Sequence, residues 1–112
     1  MIEKNISKIT TESIHNNSVN RKSLIKVGEL KGEVQTVNYA WLDEGKAFES
    51  HRHPDGTECF LFIEGEGEMT INENTINVIK DGFVIVEKNE SHSVKNIGEQ
   101  KLVFITLRVL DK

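Results

Sequence analysis

The chain has 112 residues and a mass of 12.7 kDa, with 37% apolar and 29% charged residues, which leaves room for one small core and no second domain. Eighteen acidic against 14 basic residues give a net charge of −4, and no stripe collects the lysines, so neither nucleic acid nor a membrane surface is an expected partner. The single cysteine, Cys59, excludes an internal disulfide and a CxxC zinc or redox motif, and with no secretory core near the start and no apolar run long enough to span a bilayer, the composition points to a cytoplasmic protein.

Residues 1–21 read as an N-terminal extension, weakly structured or a short helix. Ile2, Ile6 and Ile9 are spaced i, i+4, i+7, whereas His15-Asn16-Asn17-Ser18 is loop chemistry, and His15 is given no role. From Lys22 the pattern changes to short β runs, so residues 22–112 form the expected β domain. The runs cover 23–30, 34–42, 47–53, 57–63, 68–71, 75–79, 83–87, 91–95 and 102–110. Turn chemistry separates them at Lys31-Gly32, Asp43-Glu44-Gly45, Pro54-Asp55-Gly56, Asn72-Glu73-Asn74 and Asp81-Gly82. Nine short strands at nearly even spacing, with one proline and no long helical pattern, predict an all-β sandwich or barrel.

Strand parity separates two environments. In 102–110, Val103, Ile105, Leu107 and Val109 share one face, and Phe104, Thr106 and Arg108 share the other. Tyr39 and Trp41 share a face of their own strand, where packing in a core or interface accounts for them. Alternation from Glu58 points Phe60 and Phe62 inward and puts Cys59, Leu61 and Ile63 on the opposite side, with Cys59 read as a small apolar residue and not a nucleophile.

Three of the four histidines have meaningful spacing. His51 and His53 share one face of a strand, with Arg52 on the other. Glu58 follows across the turn Pro54-Asp55-Gly56, which can fold its carboxylate back beside them, and His92 comes later, after Lys88-Asn89-Glu90. Three neutral imidazoles and one carboxylate form a mixed nitrogen and oxygen ligand set. Such a set suits one divalent transition metal (Fe, Mn, Co, Ni, Cu or Zn) and not Ca²⁺.

The stretch Gly45-x5-His51-x-His53-x4-Glu58-x6-Gly65 resembles the first motif of the cupins at every defined position, and His92 and Asn96 stand where the second motif has its histidine and asparagine. Asp81 falls at that motif's opening glycine, Glu87 at its proline and Asn89 at its inner glycine; asparagine tolerates the left-handed backbone such a turn requires. The resemblance covers residues 34–110 and implies a small single-domain cupin, a double-stranded β-helix or jelly-roll barrel of two antiparallel sheets. It also implies His51, His53, Glu58 and His92 as metal ligands, and a homodimer.

With neutral imidazoles and one carboxylate, a divalent ion leaves the site at about +1, which favours a small anionic, oxygen-rich ligand. Phe60 and Phe62 are expected to line and dry the cavity. Glu49 shares strand parity with His51 and is a candidate general base, set against a solvent-facing place. Arg108 is a candidate clamp for a substrate carboxylate, set against a surface salt bridge. By analogy with the cupins the expected activity is that of a dioxygenase or an isomerase or epimerase, the alternative being a non-catalytic module that captures a sugar or metabolite through the same metal.

Overall fold

The computed structural model describes residues 1–111, which form ten strands and one turn of 3-10 helix at Ile6–Lys8. In chain order the strands are β1 (Glu12–Ile14), β2 (Val19–Ile25), β3 (Val34–Leu42), β4 (Ala47–His51), β5 (Gly56–Glu64), β6 (Glu66–Ile71), β7 (Asn74–Ile79), β8 (Phe83–Val86), β9 (His92–Asn96) and β10 (Leu102–Leu110). No helix among the described residues is long and apolar enough to cross a membrane. All pairings are antiparallel. β1-β2-β3-β10-β5-β8 form a six-stranded sheet and β4-β9-β6-β7 a four-stranded one, an all-β structure as the strand pattern predicts and the two-sheet jelly roll that the cupin resemblance implies.

Both sheets turn their larger side chains toward each other. Phe60, Phe62 and Phe104 from the six-stranded sheet pack as a ring cluster with centroids 5.6–6.2 Å apart, and Phe48, Met69, Val78 and Val94 from the four-stranded sheet close over them. Burying these side chains is the main stabilising term, each worth about 1.5–3 kcal/mol. The parity expected for β10 is observed with its sense made definite: Phe104 and Thr106 are buried in the interior, while Ile105 and Leu107 lie on the outer face beside Leu61 and Cys59 of β5. Tyr39 and Trp41 share that outer face, where Lys101 sits 5.3 Å from the Trp41 ring centroid.

The division at residue 21 does not match the structure. β1 and β2 form an antiparallel hairpin that extends the six-stranded sheet, and Val19 is a buried core residue. Of the extension, the short helical turn at Ile6–Lys8 and the turn over residues 15–18 match the expectation. The hairpin turn itself runs through three consecutive non-glycine residues with left-handed backbone, His15, Asn16 and Asn17 (φ 52°, 55° and 66°). Asparagine accommodates that conformation; the loop chemistry was legible, the hairpin was not.

Glycine is required where backbone approaches backbone. Gly65, between β5 and β6, has φ +89°, and a Cβ placed there would lie 2.3 Å from the Lys101 carbonyl oxygen. Gly45 also has positive φ, +74°, but faces open space. Gly45→Ala is therefore expected to cost about 1–2 kcal/mol from conformational strain alone. Gly65→Ala should cost about 2–4 kcal/mol because a clash is added. Urea denaturation of the two variants checks the difference, and equal losses would remove the packing argument.

Candidate metal centre

The site is assembled at one end of the space between the sheets from three separate stretches of chain. β4 and the residues after it supply His51 and His53, β5 supplies Glu58, and β9 begins with His92. His51 faces His92 directly across the β4–β9 pairing. One ligand atom from each of the four side chains lies within 4.8 Å of the other three, so the residues singled out by spacing do converge.

Local hydrogen bonds determine which ring nitrogens face inward. His51 Nδ1 lies 3.0 Å from the Glu49 carbonyl oxygen and His92 Nδ1 lies 3.2 Å from that of Glu90. A carbonyl oxygen only accepts, so both Nδ1 atoms carry the hydrogen, and in the neutral rings both Nε2 atoms are bare. His92 Nε2 nevertheless sits 3.2 Å from Glu58 Oε1, and His53 Nε2 lies 3.3 Å from the same oxygen and is buried without a hydrogen-bond partner. Two acceptors held this close repel unless a cation lies between them. A divalent ion satisfies the carboxylate and all three imidazoles at once, so the residues fit the metal that their chemistry implies.

Burial works to raise the Glu58 carboxyl, but the two imidazole edges of His53 and His92 turned toward it outweigh burial and hold the group down to about 2. Burial lowers His51 below its ordinary value and lowers His15 in the same way. Glu58 is thus a carboxylate and His51 a neutral imidazole at neutral pH, the protonation states that ligate metals.

The loop between β8 and β9 positions His92. The Asn89 N–H donates to the His53 carbonyl at 3.0 Å, and the Glu87 N–H donates to Glu90 Oε1 at 2.8 Å. Asn89 has the left-handed backbone expected of it (φ 67°), and so does Asp81 (φ 73°), so both departures from the glycine pattern adopt the glycine conformation. Asn96 is a buried bracket: its side-chain amide donates to the Leu42 and Gln100 carbonyls, and its oxygen accepts from the Gly98 N–H.

The metal group opens into a cavity of about 300 Å³, at the small end of the range for small-molecule sites. Phe60 lines it, but Phe62 does not: it is fully buried in the core behind Phe60 and contributes packing, not a wall. Glu49 is exposed and lies outside the cavity. The expectation failed because β4 carries a bulge against β9: Phe48 pairs with Val94 and His51 with His92, so one extra residue shifts the alternation. Phe48 takes the inner position, and Glu49 contributes only its carbonyl to His51.

Arg108 lines the cavity and also pairs with Asp55, the salt bridge that was set against its role as a clamp. Two wall residues escaped the sequence analysis. His15 stacks against Phe48 and His51, with ring centroids 5.3 and 4.7 Å away, and Arg21 projects from β2. Nothing local marks either residue, because the hairpin pairing brings them to the site.

The metal-free protein should lose stability in acid. The folded chain keeps His15 and His51 neutral at a pH where their unfolded counterparts, titrating at about 6.5, take up protons. Stability is therefore full above that value and falls as pH drops through it, with Glu58 adding a further loss between about 4.5 and about 2. Urea midpoints of EDTA-treated protein check this, and a midpoint that rises on acidification from pH 7 to 5 contradicts it.

Comparison with known proteins agrees with this architecture. A family model described as a cupin domain matches residues 39–108, more than half of the chain. An uncharacterized protein of Methanocaldococcus jannaschii is 26% identical over 81 residues, covering 72% of this chain and 65% of that protein. The cupin domain of Cnp3, an inner kinetochore subunit of Schizosaccharomyces pombe, superposes with a TM-score of 0.83 at 19% identity, covering 98% of this chain and 74% of that one; in the whole subunit the matched sequence is only 6% of the length. A predicted oxalate decarboxylase of Thermotoga maritima superposes with a TM-score of 0.91 at 23% identity, covering 98% of this chain and all of the other. At these identities the structural likeness establishes the fold alone. The family match joins the strand order, the left-handed turns and the converging histidines in one conclusion: the chain belongs to the cupin family.

Proposed function

We propose that the chain is a metal-dependent enzyme acting on a small, oxygen-rich organic anion, with His51, His53, Glu58 and His92 holding one divalent transition ion of the Fe, Mn, Co, Ni, Cu or Zn group. The observation that carries this reading is the approach of His92 Nε2 and His53 Nε2 to one carboxylate oxygen inside a cavity, an arrangement that needs a cation. A bound ion supplies Lewis acidity and open coordination positions, the resources of both dioxygenase and isomerase or epimerase chemistry.

The chain's own residues bind, orient and exclude water. Phe48, Phe60 and Phe104 give the metal end of the cavity apolar walls, which strengthen every charge interaction there. Glu90 and Glu49 fix the imidazoles through their carbonyls. Arg21 and Arg108 give the wall a positive potential suited to an anion. A second reading, a non-catalytic module that captures a metabolite through the same ion, is favoured by the outward position of Glu49. Beyond the metal group it leaves His15 as the one acid–base side chain among the described cavity residues.

The proposal extends to a homodimer and a cytoplasmic location. Support for the dimer comes from the outer face of the six-stranded sheet, where Leu61, Phe83 and Ile85 stand exposed beside one another on paired strands. Support for a reducing compartment comes from one free cysteine, Cys59, whose thiol burial pushes up in pKa and so makes less reactive.

Elemental analysis of protein purified without chelators should find about one transition ion per chain. His53→Ala should lose most of it, whereas His15→Ala should keep it; equal content in the two variants overturns the ligand assignment. After anaerobic loading with Fe²⁺, diketones, hydroxy acids and catechols are added before oxygen is admitted. Oxygen uptake selects the dioxygenase, conversion under nitrogen selects the isomerase, and tight binding without turnover selects the module. In sedimentation, the double variant Phe83→Glu, Ile85→Lys should be monomeric at unchanged metal content, and a wild type already monomeric at tens of micromolar ends the dimer proposal.

A further inference from the structure

The cavity wall carries two guanidinium groups, each with one donor that the protein leaves unused. Arg21 and Arg108 both line the cavity, and each keeps a buried Nε–H with no partner. At its outer end each is tethered to a carboxylate: Arg108 Nη2 donates to Asp55 Oδ1, and Arg21 Nη2 stands 3.6 Å from Glu12 Oε2. These exposed pairs orient the side chains without neutralising them effectively, because water screens them. A buried N–H left without an acceptor is costly in a folded protein, and two such donors on one cavity wall indicate that a ligand supplies the acceptors.

The sheet register places the two arginines at different depths from the metal group. Arg108 is the direct cross-strand neighbour of Glu58, so it lies beside the metal end. Arg21 is on β2, separated from β5 by β3 and β10, and its cross-strand row runs through Ala40 and Phe104 to Phe62, so it is removed from Glu58 both across the sheet and along the strands. Between them Thr36, Asn38 and Thr106 give the wall a polar strip. A ligand reaching from the metal group along this wall meets Arg108 first and Arg21 last.

We propose that Arg21 and Arg108 form an anion-binding subsite that selects organic diacids: one end of the ligand carries a chelating oxygen pair, such as a 2-hydroxycarboxylate, and the other carries a carboxylate received by Arg21. The guanidinium fork matches a carboxylate's two oxygens, whereas an uncharged tail would leave the Arg21 Nε–H unpaired. This rests on the metal site proposed above for the chelating end and adds the class of ligand that the cavity takes.

Calorimetric titration tests it with ligands matched in length. Manganese-loaded protein should bind 2-hydroxyglutarate at least about tenfold more tightly than 2-hydroxypentanoate, which differs only in lacking the distal carboxylate. Arg21→Gln should abolish that preference with metal content unchanged, and Arg108→Gln should weaken both ligands. Equal affinity of the two ligands for fully loaded wild type overturns the subsite and leaves the metal site standing. A second arm uses metal-free protein and glutarate, which has no chelating hydroxyl: binding about tenfold weaker in Arg21→Gln supports the subsite even if no metal is taken up. Glutarate binding that is absent, or indifferent to Arg21→Gln, together with no diacid preference in the loaded protein, overturns it.

Discussion

The structure depends on one interaction, the meeting of the Glu58 carboxylate with imidazole nitrogens in a place from which water is largely excluded. Glu58 has 13% of its side chain exposed and His92 none. A charge placed there without compensation would cost several kcal/mol. Main-chain carbonyls pin the far side of two rings, so that neither ring can turn its N–H inward to compensate the carboxylate without losing a hydrogen bond. Rigidity at the centre is thus inherited from the backbone of β4 and of the turn before β9, and the metal reading follows from which atoms are left facing one another.

The remainder of the fold serves that arrangement. The phenylalanine cluster behind Glu58 fills the space between the sheets, while β2, β3 and β10 wall the cavity with arginine, threonine and asparagine side chains. The N-terminal hairpin completes this wall. Its turn places three left-handed residues in succession, a conformation that costs energy, and delivers His15 against Phe48 and His51. Segments that look least structured in isolation therefore decide the shape and charge of the cavity.

What was legible in the chain, and what was not, follows from the range over which each signal acts. β3 and β10 were read at their observed limits, because alternation and turn residues are local and unambiguous there. Asp81 and Asn89 replace glycines of the second motif, yet both residue types tolerate positive φ, and the turns form as the motif requires. Glu49 was misplaced because parity counting assumes an unbroken ladder; the bulge in β4 is a property of its pairing with β9 and leaves no mark in β4 alone. Phe62 was placed inward correctly, but whether an inward ring lines a cavity or fills a core depends on what sits opposite.

By itself the sequence determined the all-β architecture, the turns and the four side chains of the metal group, because each of these is encoded by residue type and spacing within a few positions along the chain. Tertiary structure alone decided that the first 21 residues join the sheet, that Glu49 points away from the site, and that Arg21 and His15 share a cavity with Arg108. Those facts depend on contacts between residues far apart in the chain, made by strands whose pairing partners no local pattern names.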